Sequence, residues 1–281
     1  MERFQKTLTH FGKILIDNWD KRTQMFELVQ FMYMRRQKMI KIIERFLAWA
    51  LMVCLFLILI ISAVEIAAYS DWGYYEDEFE KHHVIKDSGL MNIEMDELIE
   101  VTKQMMSYLR GDREDLVIYA EIDGEVTEYF DERDKSHMVD VRNVFVTALD
   151  VRAGAFVMAI IIFANLCLLL NFDAVKKLLF KAYLWTIGYL SLFIAAIAVW
   201  AVVDFTGVFY KFHALFFSNY EWILDPEVSR LINMVPEGFF VDIAIRIVVI
   251  FIMLILIMGG VLLFLMKAIP RNRVKNTSVP Q

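Results

Sequence analysis

Two histidines in separate segments are the residues best suited to acid–base chemistry. His213 lies in an aromatic-rich stretch, 205–242, between two apolar runs. In a helix, four aromatic residues would share its face: Phe209, Phe216, Phe217 and Tyr220. Because apolar walls disfavour a charged imidazole, this spacing predicts a neutral histidine that can act as a base. An interfacial helix whose aromatic residues mark the membrane boundary would show the same pattern.

His137 belongs to a second segment, 131–142, that is rich in charged residues. Asp140 stands at i+3, where it could accept a hydrogen bond from one ring nitrogen and fix the tautomer. Val141 and Val144 stand at i+4 and i+7, so the ring should face the apolar side of a helix. A buried structural histidine paired with Asp140 remains the alternative.

Together, His137 and His213 could form an acid–base pair, since each can take or give a proton near neutral pH. A zinc site would need a third ligand from His82, His83 or Asp140, but no close-spaced ligand motif is present. We therefore predict no metal and no cofactor. His82 and His83 are expected to be exposed surface residues.

Several polar side chains could support the pair, by orienting a histidine or by donating hydrogen bonds to an oxyanion. These candidates are Asp140, Arg142, Asn219 and Arg246. Arg246 lies at i+4 from Asp242 near the start of an apolar run, so a structural Asp242–Arg246 pair is the alternative.

The composition is that of an integral membrane protein, with 58% hydrophobic residues and a mean hydropathy of +0.49. The net charge of −6 is unevenly distributed. Residues 1–45 carry ten Lys/Arg against five Asp/Glu, whereas residues 69–150 carry eight against twenty-two. Cys54 and Cys167 both lie in apolar runs, so we expect no disulfide.

Four apolar runs are long enough to cross a bilayer, at 46–68, 153–170, 182–203 and 243–266. Basic residues concentrate in 1–45, in the 171–181 connection and in the 267–281 tail, which predicts that all three are cytoplasmic. The acidic segment 69–150 and the aromatic loop 204–242 should then share the extracellular face. Segment 1–45 reads as a basic amphipathic helix on the inner leaflet, with a partner-binding role as the alternative.

The outer segment shows its own secondary structure. Asn92 could cap a helix that stops at Gly111, and Asp123-Gly124 between two alternating runs indicates a β-hairpin. Asp131 or Asp134 could cap a helix that continues into the second span. The predicted fold is thus an α-helical integral membrane protein with four transmembrane helices, a small extracellular α+β domain and an aromatic outer loop. So small a domain should rest on the bilayer or on the outer loop.

The motifs around the two histidines resemble a known family. Residues 132–141 (ERDKSHMVDV) and 212–219 (FHALFFSN), followed by Trp222, Asp225-Pro226 and 236–240 (PEGFF), are similar in order and spacing to the bacterial lipoprotein intramolecular transacylases. The resemblance runs from about the first span to the end of the fourth. The basic extension 1–45 departs from the compact family pattern.

The resemblance implies a four-span enzyme of the bacterial cell membrane with an extracellular globular portion. Together with the charge distribution, which predicts that both termini are cytoplasmic, this predicts an extracellular active site. The enzyme would move the sn-2 acyl chain of a diacylglyceryl lipoprotein to the α-amino group of the N-terminal cysteine. Its two essential histidines would be His137 and His213, with no cofactor. Membrane lipid is a further expected partner and nucleic acid is not. The alternatives are a non-catalytic four-span sensor or scaffold and a lipid hydrolase at the outer surface.

Overall fold

The chain forms long helices joined by a small mixed domain. The computed structural model describes residues 2–87 and 92–268, with side chains from residue 25 onward. Four described helices are long and apolar enough to cross a membrane: α1 (Glu2–Tyr69), α5 (Glu132–Leu169), α6 (Phe172–Val203) and α9 (Glu237–Ala268). The predicted four-span helical fold is confirmed.

Contacts divide the chain into two units, residues 1–48 and 49–281. In the first unit, α1 is helical from Glu2, and large apolar side chains such as Phe26 and Phe31 are exposed. The described residues do not include the side chains of 1–24, where most of the predicted amphipathic pattern lies. They also do not include most of the 267–281 tail.

The second unit contains the remaining elements. After the first span come α2 (Gly73–Lys81), α3 (Val84–Asp87), α4 (Met95–Arg110), β1 (Tyr119–Ile122) and β2 (Glu125–Glu128). Between α6 and α9, the outer loop contains two short helices, α7 (Phe205–Phe216) and α8 (Arg230–Met234). Residues at helical spacing on α4 are buried, including Leu98, Val101, Met105 and Leu109, so one face of α4 packs on a core.

The hairpin forms where the sequence predicts it. β1 and β2 are antiparallel, with Tyr119 opposite Glu128 and Ile122 opposite Glu125. Asp123 and Gly124 have φ values of 55° and 79°, as a type I′ turn requires. The predicted cap at Asn92 is wrong, because α4 begins after Glu94 and the Asn92 amide instead donates to Asp123 Oδ1 at 2.8 Å.

One hydrophobic core joins the small domain to the outer loop. Phe79, Leu98, Ile118, Phe130 and Met138 from the domain and from the start of α5 pack in one cluster with Leu231, Met234 and Phe239. The last three residues belong to α8 and α9. The small domain therefore rests on the outer loop, as its size predicts.

An ion-pair network within the second unit joins the end of α1 to α4 and α5. Glu65 of α1 pairs with Arg152 of α5 and, at 3.1 Å, with Arg110 at the end of α4. The Arg110 guanidinium also lies 5.3 Å from the centre of the Tyr69 ring. Because Glu65 is the only acid in its apolar run, its two arginine partners supply the opposite charge that such a position requires.

Candidate active site

His137 lies in the second turn of α5, well before the apolar stretch 153–170 that is long enough to cross the membrane. Asp131 caps this helix, accepting hydrogen bonds from the backbone N–H groups of Arg133 (2.8 Å) and Asp134 (2.7 Å). Asp134 accepts a bond in return from the N–H of Asp131, which completes a capping box. The predicted cap is confirmed. It fixes the start of α5 and therefore the position of His137 on this helix.

Asp134 also fastens the start of α5 to the outer loop. Its buried carboxylate accepts a hydrogen bond from the Ser229 hydroxyl at 2.6 Å. Ser229 in turn caps α8 by accepting from the N–H of Ile232 at 3.2 Å. Burial raises the pKa of Asp134, and the Ser229 hydroxyl opposes that shift. We call this Asp134–Ser229 contact the clip.

His213 lies in the last turn of α7. Its Nδ1 is 2.8 Å from the carbonyl oxygen of Phe209, one turn earlier. Because a carbonyl can only accept, Nδ1 must carry the proton in this contact. In the neutral ring, Nε2 therefore holds the lone pair, which is the form that a general base needs.

Aromatic rings surround the His213 imidazole. The ring centroids lie 4.1 Å from it for Phe209, 4.8 Å for Trp222 and 5.5 Å for both Phe212 and Phe217. The helical spacing correctly predicts Phe209 and Phe217. Phe216 and Tyr220 instead lie largely exposed. Because α7 ends at Phe216, the helical register does not extend to Tyr220.

The structure brings the two histidines together. The centroids of His137 and His213 are 6.0 Å apart, with an interplanar angle of 37°. Phe217 contacts both rings, at 5.3 Å from His137 and 5.5 Å from His213. Both imidazoles are buried.

Burial lowers the pKa of both histidines. For His137 desolvation is the main cause, the neighbouring His213 adds to it and Asp140 opposes it, which lowers the pKa to about 4. For His213 desolvation again dominates, and the hydrogen bond to the Phe209 carbonyl opposes it. Both imidazoles are therefore neutral at pH 7, as the apolar surroundings predict.

The predicted Asp140–His137 hydrogen bond is not formed among the described residues. Nδ1 of His137 is buried there without a partner. Asp140 instead accepts a hydrogen bond from the side-chain amide of Asn219 at 2.7 Å. Two predicted supporting residues thus contact each other, and they join α5 to the segment after α7.

A cavity of about 580 Å³ lies beside the histidine pair. Its walls come from α1, α5 and the end of α7, and Phe217 belongs both to this lining and to the histidine contacts. Apolar residues form most of the lining: Leu57, Ile61, Val144, Ala148, Val151 and Phe216. Asp140, Asn143 and Asn219 supply polar atoms. Its size and lining suit a hydrocarbon ligand with a polar end.

The two arginine candidates have other partners. Arg142 lies 4.8 Å from the centre of the Tyr108 ring and donates to the carbonyl of Glu114 at 3.3 Å. Arg246 lies 3.9 Å from the centre of the Tyr74 ring and 3.5 Å from Asp71. The predicted Asp242–Arg246 pair is wrong, because among the described residues Asp242 pairs with Lys81 and His82.

Asp242 belongs to a second polar cluster that joins α2 to α9. His82 Nε2 lies 2.7 Å from Asp242 and 3.3 Å from Glu78, and these three side chains could together offer ligand atoms to a metal ion. The Lys81 ammonium already lies 2.6 Å from Asp242 and 3.4 Å from Glu78. We therefore interpret the cluster as a structural ion-pair network.

His82 is not the exposed residue that the sequence predicts. It packs against Gly238 of α9, where a Cβ would lie 2.7 Å from its Nδ1. A side chain at position 238 would therefore require His82 or the start of α9 to shift. His83, by contrast, is exposed as predicted.

From the sequence, Trp222 is part of the family motif only, without a predicted contact with His213, and Ser229 is not singled out. Trp222 reaches His213 because the chain turns at Asn219, whose side-chain oxygen accepts from the N–H of Glu221 at 3.0 Å. The carbonyl of Asn219 also accepts from Trp222 Nε1 at 3.0 Å. Asn219, two residues before Glu221, could have predicted a turn from the sequence. It could not have predicted which aromatic ring the turn brings into contact with His213.

The fold is that of an integral membrane protein, with four membrane-length helices and a small domain. Its site has two neutral imidazoles among aromatic rings, beside a cavity large enough for a hydrocarbon chain. These features define the class: a membrane protein with acid–base groups beside a hydrocarbon-sized cavity. The model of the family "Lipoprotein intramolecular transacylase Lit" matches residues 49–240, well over half of the sequence. The chain belongs to this family.

Solved structures agree on the fold. An in meso structure of the membrane-integral lipoprotein intramolecular transacylase Lit from Bacillus cereus is 21% identical, with a TM-score of 0.62 over 80% of this chain and 97% of that one. A variant of that protein with one histidine replaced by alanine is 22% identical, with a TM-score of 0.62 over 80% and 94% of the two chains. A comparison with curated protein sequences gives no match.

Proposed function

We propose that this protein is an acyltransferase that moves the sn-2 acyl chain of a diacylglyceryl lipoprotein to the α-amino group of its N-terminal cysteine, giving a lyso-form lipoprotein. Family membership over residues 49–240 supports the reaction. The observation that carries the site is the pair of buried neutral imidazoles, His137 and His213, 6.0 Å apart.

The chemistry requires a proton to move from nitrogen to oxygen. The neutral amine attacks the ester carbonyl, a C–N bond forms, and the C–O bond to the glycerol oxygen breaks. The amine loses one proton and the glycerol alkoxide gains one. His213 suits the first step because the Phe209 carbonyl holds its proton on Nδ1 and leaves Nε2 free to accept. The proton that His213 takes up then passes to His137, which returns it to the alkoxide, so that both imidazoles are neutral again after the reaction.

Positioning supplies much of the remaining acceleration. The amine and the ester belong to one substrate molecule, so the enzyme must mainly hold them in an attack geometry. The cavity between α1 and α5 would hold a hydrocarbon chain, and the rings around His213 would exclude water from the reacting atoms. The candidate donors to the oxyanion are Asn219, Arg142, Arg246 or a backbone N–H, and of the three side chains only Asn219 lines the cavity.

The protein is a multi-pass membrane protein, and its orientation follows from charge. We assign 1–45, 171–181 and 267–281 to the cytoplasm because basic residues concentrate there. The histidines then act on the extracellular face, where a lipoprotein's lipidated cysteine is anchored. Membrane lipids would cover the exposed apolar faces of the spans.

Mass spectrometry of a reporter lipoprotein tests the reaction. Co-expression with the wild-type chain should convert the diacylglyceryl N-terminus to the lyso form, with the second acyl chain retained on nitrogen. H137A and H213A should each lower conversion by roughly 100-fold or more, because each removes an acid–base group. F26A, an exposed position in the first unit, is the matched control and should convert normally.

Two outcomes would contradict the proposal. An unchanged diacylglyceryl N-terminus with the wild-type chain would support a sensor or scaffold, and loss of an acyl chain as free fatty acid would support a hydrolase. Normal conversion by both histidine variants would remove the acid–base assignment.

Conversion should also continue in the presence of a chelator, because Lys81 already neutralises the Glu78–His82–Asp242 cluster.

A further inference from the structure

Asp140 is a charged residue at the site, and the acid–base steps described above do not use it. It is the one charged residue among those that line the cavity, all of which are described. One of its oxygens accepts the hydrogen bond from Asn219, and within the described part of the chain no other side chain or backbone group bonds to it. Asp140 thus lines a mostly apolar cavity and has one carboxylate oxygen without a partner among the described residues.

The nearby cationic side chains are engaged elsewhere. Arg142 lies over Tyr108, Arg133 donates to the carbonyl of Tyr220 at 3.2 Å, and Lys135 pairs with Glu128 at 2.9 Å. No ion pair to Asp140 occurs among the residues that the structure describes. His137, one helical turn before Asp140 on α5, is held neutral by burial. A partly buried carboxylate without a cation favours binding of a positively charged ligand group.

The position of Asp140 also suits a reacting nitrogen. It stands one helical turn after His137 on α5, and its partner Asn219 follows two residues after Phe217, which contacts both imidazoles. Trp222, which donates to the carbonyl of Asn219, contacts the His213 ring. The carboxylate, the histidine pair and the cavity therefore meet around one short segment, 217–222.

We propose that Asp140 binds the α-ammonium group of the substrate's lipidated cysteine and holds it at the polar end of the cavity. This inference rests on the proposed function, because it names the recognition element for the nucleophile of that reaction. The ammonium donates one hydrogen bond to the free Asp140 oxygen. Asn219 keeps the carboxylate oriented through the other oxygen. After the ammonium loses a proton, the neutral amine still has N–H groups to donate to Asp140.

Binding of unreactive analogues tests this role without catalysis. Two synthetic cysteinyl peptides would carry an ether-linked chain at sn-2, which cannot be transferred; one has a free α-amine and the other an N-acetylated one. The full-length wild-type protein in nanodiscs should bind the free amine roughly tenfold or more tightly, as expected for a hydrogen bond between charged groups. D140N should bring the ratio of the two dissociation constants close to one.

N143A is the matched control, since Asn143 lines the same cavity without carrying charge. It should keep the preference for the free amine, and D140E should retain most of it. The inference is overturned if D140N keeps the wild-type ratio. It is also overturned if the wild-type protein itself shows no preference, a result that does not depend on any variant being stable.

A separate measurement tests the proposed transacylation itself. If the wild-type protein leaves an ester-linked diacylglyceryl peptide unchanged, transacylation is wrong whatever the binding ratio. If that peptide is converted but the amine preference is unaffected by D140N, transacylation stands and Asp140 has no role in amine recognition.

Discussion

The neutral state of the two histidines is set by what touches their rings. Phe209, Phe217 and Trp222 replace water around His213, so protonation there means placing a charge among apolar groups. His137 shares Phe217 with it and has a second imidazole nearby, whose charge would oppose its own. Two such groups can exchange a proton with a substrate at pH 7 without being trapped in the charged form.

Stability should fall on acidification because both pKa values are depressed. In the unfolded chain a histidine takes up a proton near pH 6.5, whereas folded His137 does so only near pH 4. The contribution of His137 to the free energy of unfolding is therefore complete above pH 6.5 and decreases as the pH falls from about 6.5 towards 4, by up to about 1.4 kcal/mol per pH unit. The lowered pKa of His213 adds a loss of the same sign below pH 6.5. Thermal unfolding in detergent measures this slope.

H137F provides the comparison, because it removes a titrating group and keeps a ring of similar shape. Its thermal midpoint should decline less steeply than that of the wild type between pH 6.5 and pH 4. Parallel declines for the two proteins would show that His137 is not held neutral.

Two elements must stay in register for the site to exist. The start of α5 carries His137, and the outer loop carries His213 and Trp222. Their direct links include the clip between Asp134 and Ser229, the Arg133 bond to the carbonyl of Tyr220, and the Asp140–Asn219 bond. The clip is the buried one, so it depends most strongly on having both partners.

Removing the Ser229 hydroxyl should destabilise the protein. S229A leaves the buried Asp134 carboxylate without its side-chain donor and α8 without its cap, which should cost about 1–3 kcal/mol. A lower thermal midpoint and reduced lyso-form conversion are the expected results. S191A, on an exposed face of α6, is the control and should change neither. An S229A variant as stable as S191A would show that the clip contributes nothing.

Over the whole molecule, the charge distribution predicts which segments lie on each face of the membrane. With Cys54 and Cys167 replaced by serine, single cysteines can be placed at Glu125 in the hairpin and at Lys177 after the second span, both exposed. A membrane-impermeant maleimide should label position 125 in intact cells and position 177 only after lysis. The reverse pattern would place the histidines on the cytoplasmic face and contradict the proposed orientation.

Local signals in the sequence determine much of this protein. Run length and hydrophobicity determine the four spans, since about 20 apolar residues are needed to cross a bilayer. Asp123-Gly124 determines the hairpin turn, and Asp131 with Asp134 determines the start of α5, because both depend on backbone geometry within a few residues. The motifs around His137 and His213 were also sufficient to indicate the family.

Tertiary structure decided the partners of side chains that are distant in sequence. Asp140 bonds to Asn219 rather than His137, Asp242 to Lys81 and His82 rather than Arg246, and Trp222 replaces Tyr220 beside His213. Helical spacing describes neighbours only while the helix continues, and α7 ends at Phe216. Beyond that point, packing of the outer loop on the core of the small domain determines which groups meet.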